Sequence, residues 1–373
     1  MSYVQFNPED FVVSADSVTS TLWSNFTPTL KQFFTSSTGV GGTTTGSANY
    51  INVYNYNPAL SASSSEIQFS IAYGRVDSSG SAPYNVLVPN NTPTRVTYGQ
   101  YRTLINEDEN TNFNFGNNNT SSVDLYVLNI ERARYKDHLF LGTFNLNLSE
   151  LDGTQTTNQL PTVGRSITLT NNSNNVSTVT YCGAGRVYDI VSGTNGTAIT
   201  TTNGNTPGVT AGYTPSGSYG WYLPDVGLIL LNPRALALPF ASGGVNIQPY
   251  DSQVTTTNNS DLTGPSGSVA KLFQSISGSL NSGSFQINSE ENITSDYVFV
   301  RVINSEFNYS TNPSIISGSG QFIYPSLVNN PQTYITTVGL YNDTNELLAV
   351  AKMSKPLPKD FTKEAYIRVK LDF

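Results

Sequence analysis

The last forty residues restrict the fold more than any other part of the chain. Tyr334–Lys352 contains two alternating apolar runs around the turn Tyr341-Asn-Asp-Thr-Asn345, and a third run ends at Phe373. Alternation with a period of two places apolar side chains on one face of a strand. With turn residues between the runs, the segment reads as an antiparallel β-meander. A strand that reaches the C-terminal residue is expected to be tied into a sheet or an assembly contact.

The same pattern recurs upstream. Ile67, Phe69 and Ile71 alternate within Glu66–Tyr73, and Phe144, Leu146 and Leu148 share a face further on. Strands are also expected over 50–56, 123–130, 165–169, 176–181, 185–191, 285–287, 297–302 and 307–309. Trp221 and the run Leu228–Leu231 are expected inside a domain. Pro93 and Thr94 are start signals for a short helix over 94–105. Two further short helices are expected, one opening near Asp16 and one at Lys271. The Gly/Thr/Ser stretch at 36–47 is too poor in apolar groups to pack as core, 192–219 reads as a long loop or a decorated hairpin arm rather than core, and 242–268 is a further loop-rich stretch. The expected fold is mainly β, with antiparallel, sandwich-like sheets, long loops and a few short helices. Three domains are expected, over 1–150, 151–270 and 271–373.

Charged residues make up only 12% of the 373, about half the usual share. Asn, Ser, Thr and Gly take their place. With 22 Tyr and 18 Phe, the chain is too aromatic for a disordered protein. A net charge of −8 argues against general nucleic-acid binding. The single Cys182 allows no intrachain disulfide, which fits assembly in a reducing compartment. Residues 1–20 lack the basic and apolar regions of an export signal. The run Val226–Leu231 is far shorter than the roughly 20 residues of a membrane-spanning helix. Neither a membrane nor a direct nucleic-acid partner is expected. Asn25-Phe-Thr, Asn147-Leu-Ser and Asn292-Ile-Thr are glycosylation sequons by pattern, and follow from the Asn/Ser/Thr richness.

Catalytic chemistry finds little support. His138 is the only histidine, so with Cys182 the chain lacks the supply for a structural zinc site. The two could meet as a dyad, but the simpler reading is a small Cys on a strand and a surface or interfacial His. No Gly-Lys-Ser or Gly-Lys-Thr occurs, which excludes a P-loop. The acid groups Glu107, Asp108 and Glu109, or Glu290 and Glu291, could serve a glycosidase. Both lie in polar segments without the apolar enclosure that raises an acid's pKa. No catalytic residue, cofactor or metal is expected. Exposed Tyr and Trp beside Asn and Ser could stack on and hydrogen-bond a glycan, but they suit protein interfaces equally.

The charged segment Glu131–His138 reads as a solvated strand end or bend, or as a subunit contact paired through Arg132, Arg134 and Lys136. Lys352, Lys355, Lys359 and Lys363 could contact an acidic neighbour. The expected interface residues are Arg132, Arg134, Lys136, Tyr341, Lys352, Phe361, Tyr366 and Phe373.

Several segments spread over the chain carry a resemblance. They are Ser65-Glu-Ile-Gln-Phe-Ser-Ile-Ala-Tyr-Gly74, Tyr98-Gly-Gln-Tyr-Arg102, Leu125–His138 with Gly142-Thr-Phe-Asn-Leu146, Tyr334–Asp343 and Leu348-Ala-Val-Ala-Lys-Met-Ser-Lys-Pro356. Together they resemble virion structural proteins of T4-like tailed phages, cyanophages in particular. The resemblance implies a non-enzymatic subunit of the tail or baseplate, the neck or the capsid. It would be assembled in the host cytoplasm with other virion proteins in symmetric multicopy form. A host-surface glycan- or receptor-binding module of the virion is the alternative. The family offers no catalytic residues to carry over.

Overall fold

The computed structural model describes residues 4–24, 26–30, 33–35, 50–55, 66–78, 80–81, 87–88, 90–116, 121–152, 160–200, 209, 211–248, 267–278, 285–310 and 312–372. Of 33–35, 160 and 163 it describes the backbone alone. The loop expected at 36–47, most of that at 242–268 and the candidate Phe373 lie outside these residues.

The chain forms two compact units, Met1–Ser17 with Asn292–Phe373, and Val18–Glu291. Both junctions fall inside strands, β1 (Phe11–Thr21) and β16 (Asn288–Val302). The expected domain boundaries fall elsewhere, and both interrupt an element. The first cuts β8 (Asn145–Asp152), and the second cuts α3 (Ser268–Ser277). Leu146, Leu148, Leu272 and Ile276 from these elements belong to one continuous core, so no boundary can form there.

The larger unit is built on a 13-stranded antiparallel sheet. Its first strands are β2 (Thr29–Leu30), β3 (Phe33–Thr35), β4 (Tyr50–Asn55), β5 (Ile67–Arg75) and β6 (Asp124–Ile130). The short β7 (His138–Leu139) pairs with β16 instead. After β8 come β9 (Leu160–Asn171), β10 (Thr180–Cys182), β11 (Gly185–Thr194) and β12 (Thr197–Ala198). The sheet is completed by β13 (Gly220–Leu223), β14 (Leu228–Leu231) and β15 (Phe285–Gln286). Its order is β2-β15-β8-β9-β11-β13-β14-β6-β5-β4-β3, with β10 and β12 beside β11.

One face of this sheet is a large apolar core. Phe69 on β5 and Phe285 on β15 lie far apart in the strand order, yet their rings are 5.3 Å apart. The sheet therefore curls until its two ends pack face to face, with Trp23 5.0 Å from Phe285 and 6.2 Å from Phe69. Val269, Leu272 and Ile276 of α3 enter the same core. Mid-sheet strands are buried on both faces, which explains why Leu125–Ile130 and Leu228–Leu231 are nearly continuous apolar runs. The second face is covered by α1 (Pro93–Asn106), through Tyr98 and Ile105 against Leu125, Val127 and Leu230. The helix lies very close to β5: a Cβ on Gly74 would stand 2.8 Å from the Tyr98 backbone nitrogen. A very short helix, α2 (Pro233–Leu236), follows β14 and is capped by the Asn232 side chain.

In the smaller unit β16 pairs with β19 (Ala365–Asp372), from Ser295↔Asp372 to Val302↔Ala365. The strands β17 (Thr333–Tyr341) and β18 (Leu347–Lys359) form a separate two-stranded sheet, preceded by α4 (Ser326–Asn329). The expected three-stranded meander is thus only a hairpin, because the last strand leaves it for β16. The helix expected near Asp16 is also replaced: β1 runs through it, where Val12, Val13, Val18, Thr19 and Thr21 supply β-branched residues. Residues 307–309 form no strand.

Candidate functional site

A concave feature of the larger unit follows from the strand register. Asp189 on β11 lies opposite Trp221 on β13, and Trp221 opposite Leu230 on β14. All three face the side of the sheet that α1 covers. The helix stops at Asn106, where Glu107 takes up a left-handed φ of 55°, so it shields Leu230 but stops short of Asp189. The uncovered end is a groove of about 720 Å³ lined by Trp221, Val187 and Asp189 from the sheet. Its walls are Ile105–Glu107 and Thr111 at the helix end, Asn172, Val176 and Thr178 from the β9–β10 connection, and Thr180–Gly183.

The wall at β10 depends on a glycine. The Gly183 N–H donates to the Ile105 carbonyl at 3.4 Å. A Cβ there would stand 2.7 Å from Glu107 Oε1 and 2.9 Å from the Leu104 carbonyl oxygen. Only the missing side chain lets the turn close on the helix end. Cys182 sits in this turn, where its Sγ accepts from the Ala184 N–H at 3.3 Å, and burial pushes its thiol pKa up.

The floor is held rigidly. Trp221 meets Phe113 and Phe115 edge-on, with ring centroids 5.8 and 5.2 Å away. Tyr213 Oη donates to Asp189 Oδ2 at 3.2 Å, Asn172 Nδ2 donates to Tyr213 Oη at 3.3 Å, and the Asp189 N–H donates to Asn172 Oδ1 at 3.1 Å. Burial raises the Asp189 carboxyl above the usual carboxylate range, opposed by the Tyr213 hydrogen bond. At the rim Tyr181 is 71% exposed.

The candidates named from sequence do not converge on this groove. Arg132 folds back on its own loop, donating to the Tyr135 and Lys136 carbonyls and stacking 4.5 Å over the Tyr135 ring. Arg134 pairs with Glu66 at 2.7 Å and Lys136 with Glu291 at 2.8 Å. The charged segment is thus a 3-10 turn (Arg132–Arg134) braced by intramolecular ion pairs. His138, expected at the surface or an interface, is buried beside Glu290, with 3.1 Å between Nε2 and Oε2. Asp108 accepts from Asn110 and Thr111 in its own turn. These acids and bases hold loops together.

The remaining candidates belong to the smaller unit. Tyr341 is partly exposed on β17, Lys352 is exposed on β18 opposite Thr337, and Phe361 is exposed beyond the end of β18. Tyr366, exposed on β19, stacks on Phe299 at 5.5 Å and 19°. Lys359 is not a surface cation: its buried ammonium donates to the Asn304 carbonyl, Asn308 Oδ1 and the Asp360 carbonyl at 3.0, 2.8 and 3.0 Å.

The groove was missed by sequence reasoning. Its one local signal is an acid at 189, in the middle of an otherwise apolar alternation on β11. Comparison with protein-family models, with curated proteins and with solved structures finds no match for this chain.

Proposed function

We propose that the chain is a non-enzymatic structural subunit of a tailed-phage particle, joined to neighbouring virion proteins through its smaller unit. The observation that supports this reading is how that unit distributes its apolar residues. Its core cluster consists of Val298, Leu340 and Val369, with a few half-buried neighbours. Phe11, Val12, Val13, Tyr334, Leu347, Leu348, Val350, Phe361 and Tyr366 stand outside it, exposed. A folded unit that shows more large apolar side chains than it buries is suited to having a neighbour complete its core. The β17–β18 hairpin adds a second feature. Each strand has an outer edge without a strand partner among the described residues, a natural template for pairing with another chain.

The segments resembling virion structural proteins supply the particle, and tail or baseplate is the placement favoured. Assembly in the host cytoplasm and symmetric multicopy partners belong to the same proposal. A cryo-EM map of the virion that carries the chain tests it. Density within the tail, baseplate or neck, with Leu348, Val350 and Tyr366 covered by neighbours, is the expected result. Density at a fibre tip with these side chains bare to solvent rejects the reading in favour of host-surface binding.

A further inference from the structure

We propose that the groove over Trp221 and Asp189 binds a neutral, hydroxyl-rich ring, a hexose unit of an oligosaccharide. The proposal stands apart from the assembly role, because every lining residue belongs to the larger unit and the assembly face to the smaller one.

The lining selects this chemistry. Trp221 offers aromatic surface for the apolar C–H face of a sugar ring, and its contacts with Phe113 and Phe115 hold the indole in place before a ligand arrives. A side chain already fixed loses little freedom on binding. Directly across the strand pair, Asp189 uses one oxygen to accept from Tyr213. An ionised carboxylate has about four acceptor sites, so it can still take hydroxyl donors from a ligand. Asn172 and Tyr213 lock that carboxylate in position. The exposed ring of Tyr181 at the rim offers a second stacking surface for an adjoining unit.

Other ligand classes fit less well. No Lys or Arg lines the groove, while Glu107 and Asp189 both do, so phosphates and acidic sugars meet repulsion. Among the described residues no group of three His, Cys, Asp or Glu side chains could hold a metal ion. A wholly apolar ligand would take the remaining Asp189 acceptor sites out of water and offer them no donor beside Tyr213, which is costly. The volume of about 720 Å³ lies within the roughly 300–1,000 Å³ of ordinary ligand sites.

Saturation-transfer NMR on the full chain tests the proposal, with maltotriose, cellotriose, mannobiose and lactose as probes and sialyllactose as the charged control. At least one neutral probe should bind at millimolar concentration, and sialyllactose should bind more weakly than lactose. Asp189→Asn keeps the shape of the side chain and should weaken binding by about tenfold, the size expected for lost hydrogen bonds to a charged group. Thr180→Trp, at an exposed position on β10, fills the groove without disturbing the core and should abolish the signal. Both variants should keep the wild-type unfolding midpoint to within a few degrees. Absence of transfer to all four neutral probes overturns the proposal, and so does undiminished binding by Thr180→Trp. None of these results bears on whether the smaller unit carries the particle contacts.

Discussion

At the scale of single residues, the buried charges make the sharpest demands. Lys359 has three neutral oxygen partners within the smaller unit, and an ammonium in that setting ties the 304–308 turn to the end of β18. Lys359→Ala removes the donor and leaves buried acceptors unpaired, so it should cost roughly 2–4 kcal/mol in chemical denaturation. The Arg186–Asp225 pair gives a pH dependence. Burial raises the Asp225 carboxyl, but the hydrogen bonds from the Arg186 guanidinium and backbone outweigh it, and the net shift is below the ordinary 3.8. A carboxyl depressed in the folded state adds stability above its unfolded pKa and loses it as pH falls through the folded value. Asp225→Asn should therefore lower stability at pH 7 and flatten its loss below about pH 4, as read from denaturation midpoints across pH.

Among the elements, α1 is the one on which the groove depends. Its seat requires Gly74, so Gly74→Ala should displace the helix and destabilise the larger unit by roughly 1–3 kcal/mol, measurable by thermal melting. The hairpin carries a different expectation. Leu348→Lys with Val350→Lys replaces two exposed apolar side chains, which should change folding stability by less than about 0.5 kcal/mol each. On the proposed function the same pair should prevent incorporation into particles, and incorporation at the wild-type level in a complementation assay would contradict it.

The elements also show what a sequence can and cannot reveal. Strands β5 and β6 were legible because their apolar patterns report how many faces are buried, whereas Leu228–Leu231 was legible only as an inside run and not as strand β14. The last strand was legible as a strand, but its partner was not. Alternation along 365–372 is the same whether it pairs with β18 or β16, since a period of two fixes a face and leaves the neighbour open. Trp221 was read correctly as part of the packed larger unit, yet its place on a groove floor depends on where α1 ends. That end was legible to within one residue, 105 expected against Asn106 observed, but the packing of Gly183 against Glu107, distant in sequence, left no local pattern. The charged segment 131–138 was read as solvated or as a subunit contact, whereas Arg134, Lys136 and His138 pair within the chain, with partners Glu66, Glu291 and Glu290 far along it.

For the whole molecule, stability should be unequal. The larger unit has a continuous aromatic core that includes Phe69, Phe144, Tyr222 and Phe285, whereas the smaller one buries few large side chains. Hydrogen exchange on the isolated chain should show amides of β17–β19 opening at lower free energy than those of β6, β13 and β14. Equal protection in both sets would contradict this ranking and weaken the case that the smaller unit awaits a neighbour.

The division at Ser17 and Glu291 has a temporal meaning as well. The two pieces of the smaller unit, up to Ser17 and from Asn292, leave the ribosome with all of the larger unit between them. The larger unit can fold while its companion is still missing most of its strands, and β19 follows β16, β17 and β18. A chain that stops before Ala365 lacks the strand that pairs with Ser295–Val302 of β16, however well the rest has folded. On the proposed function, such truncated products would not be expected to join the assembly.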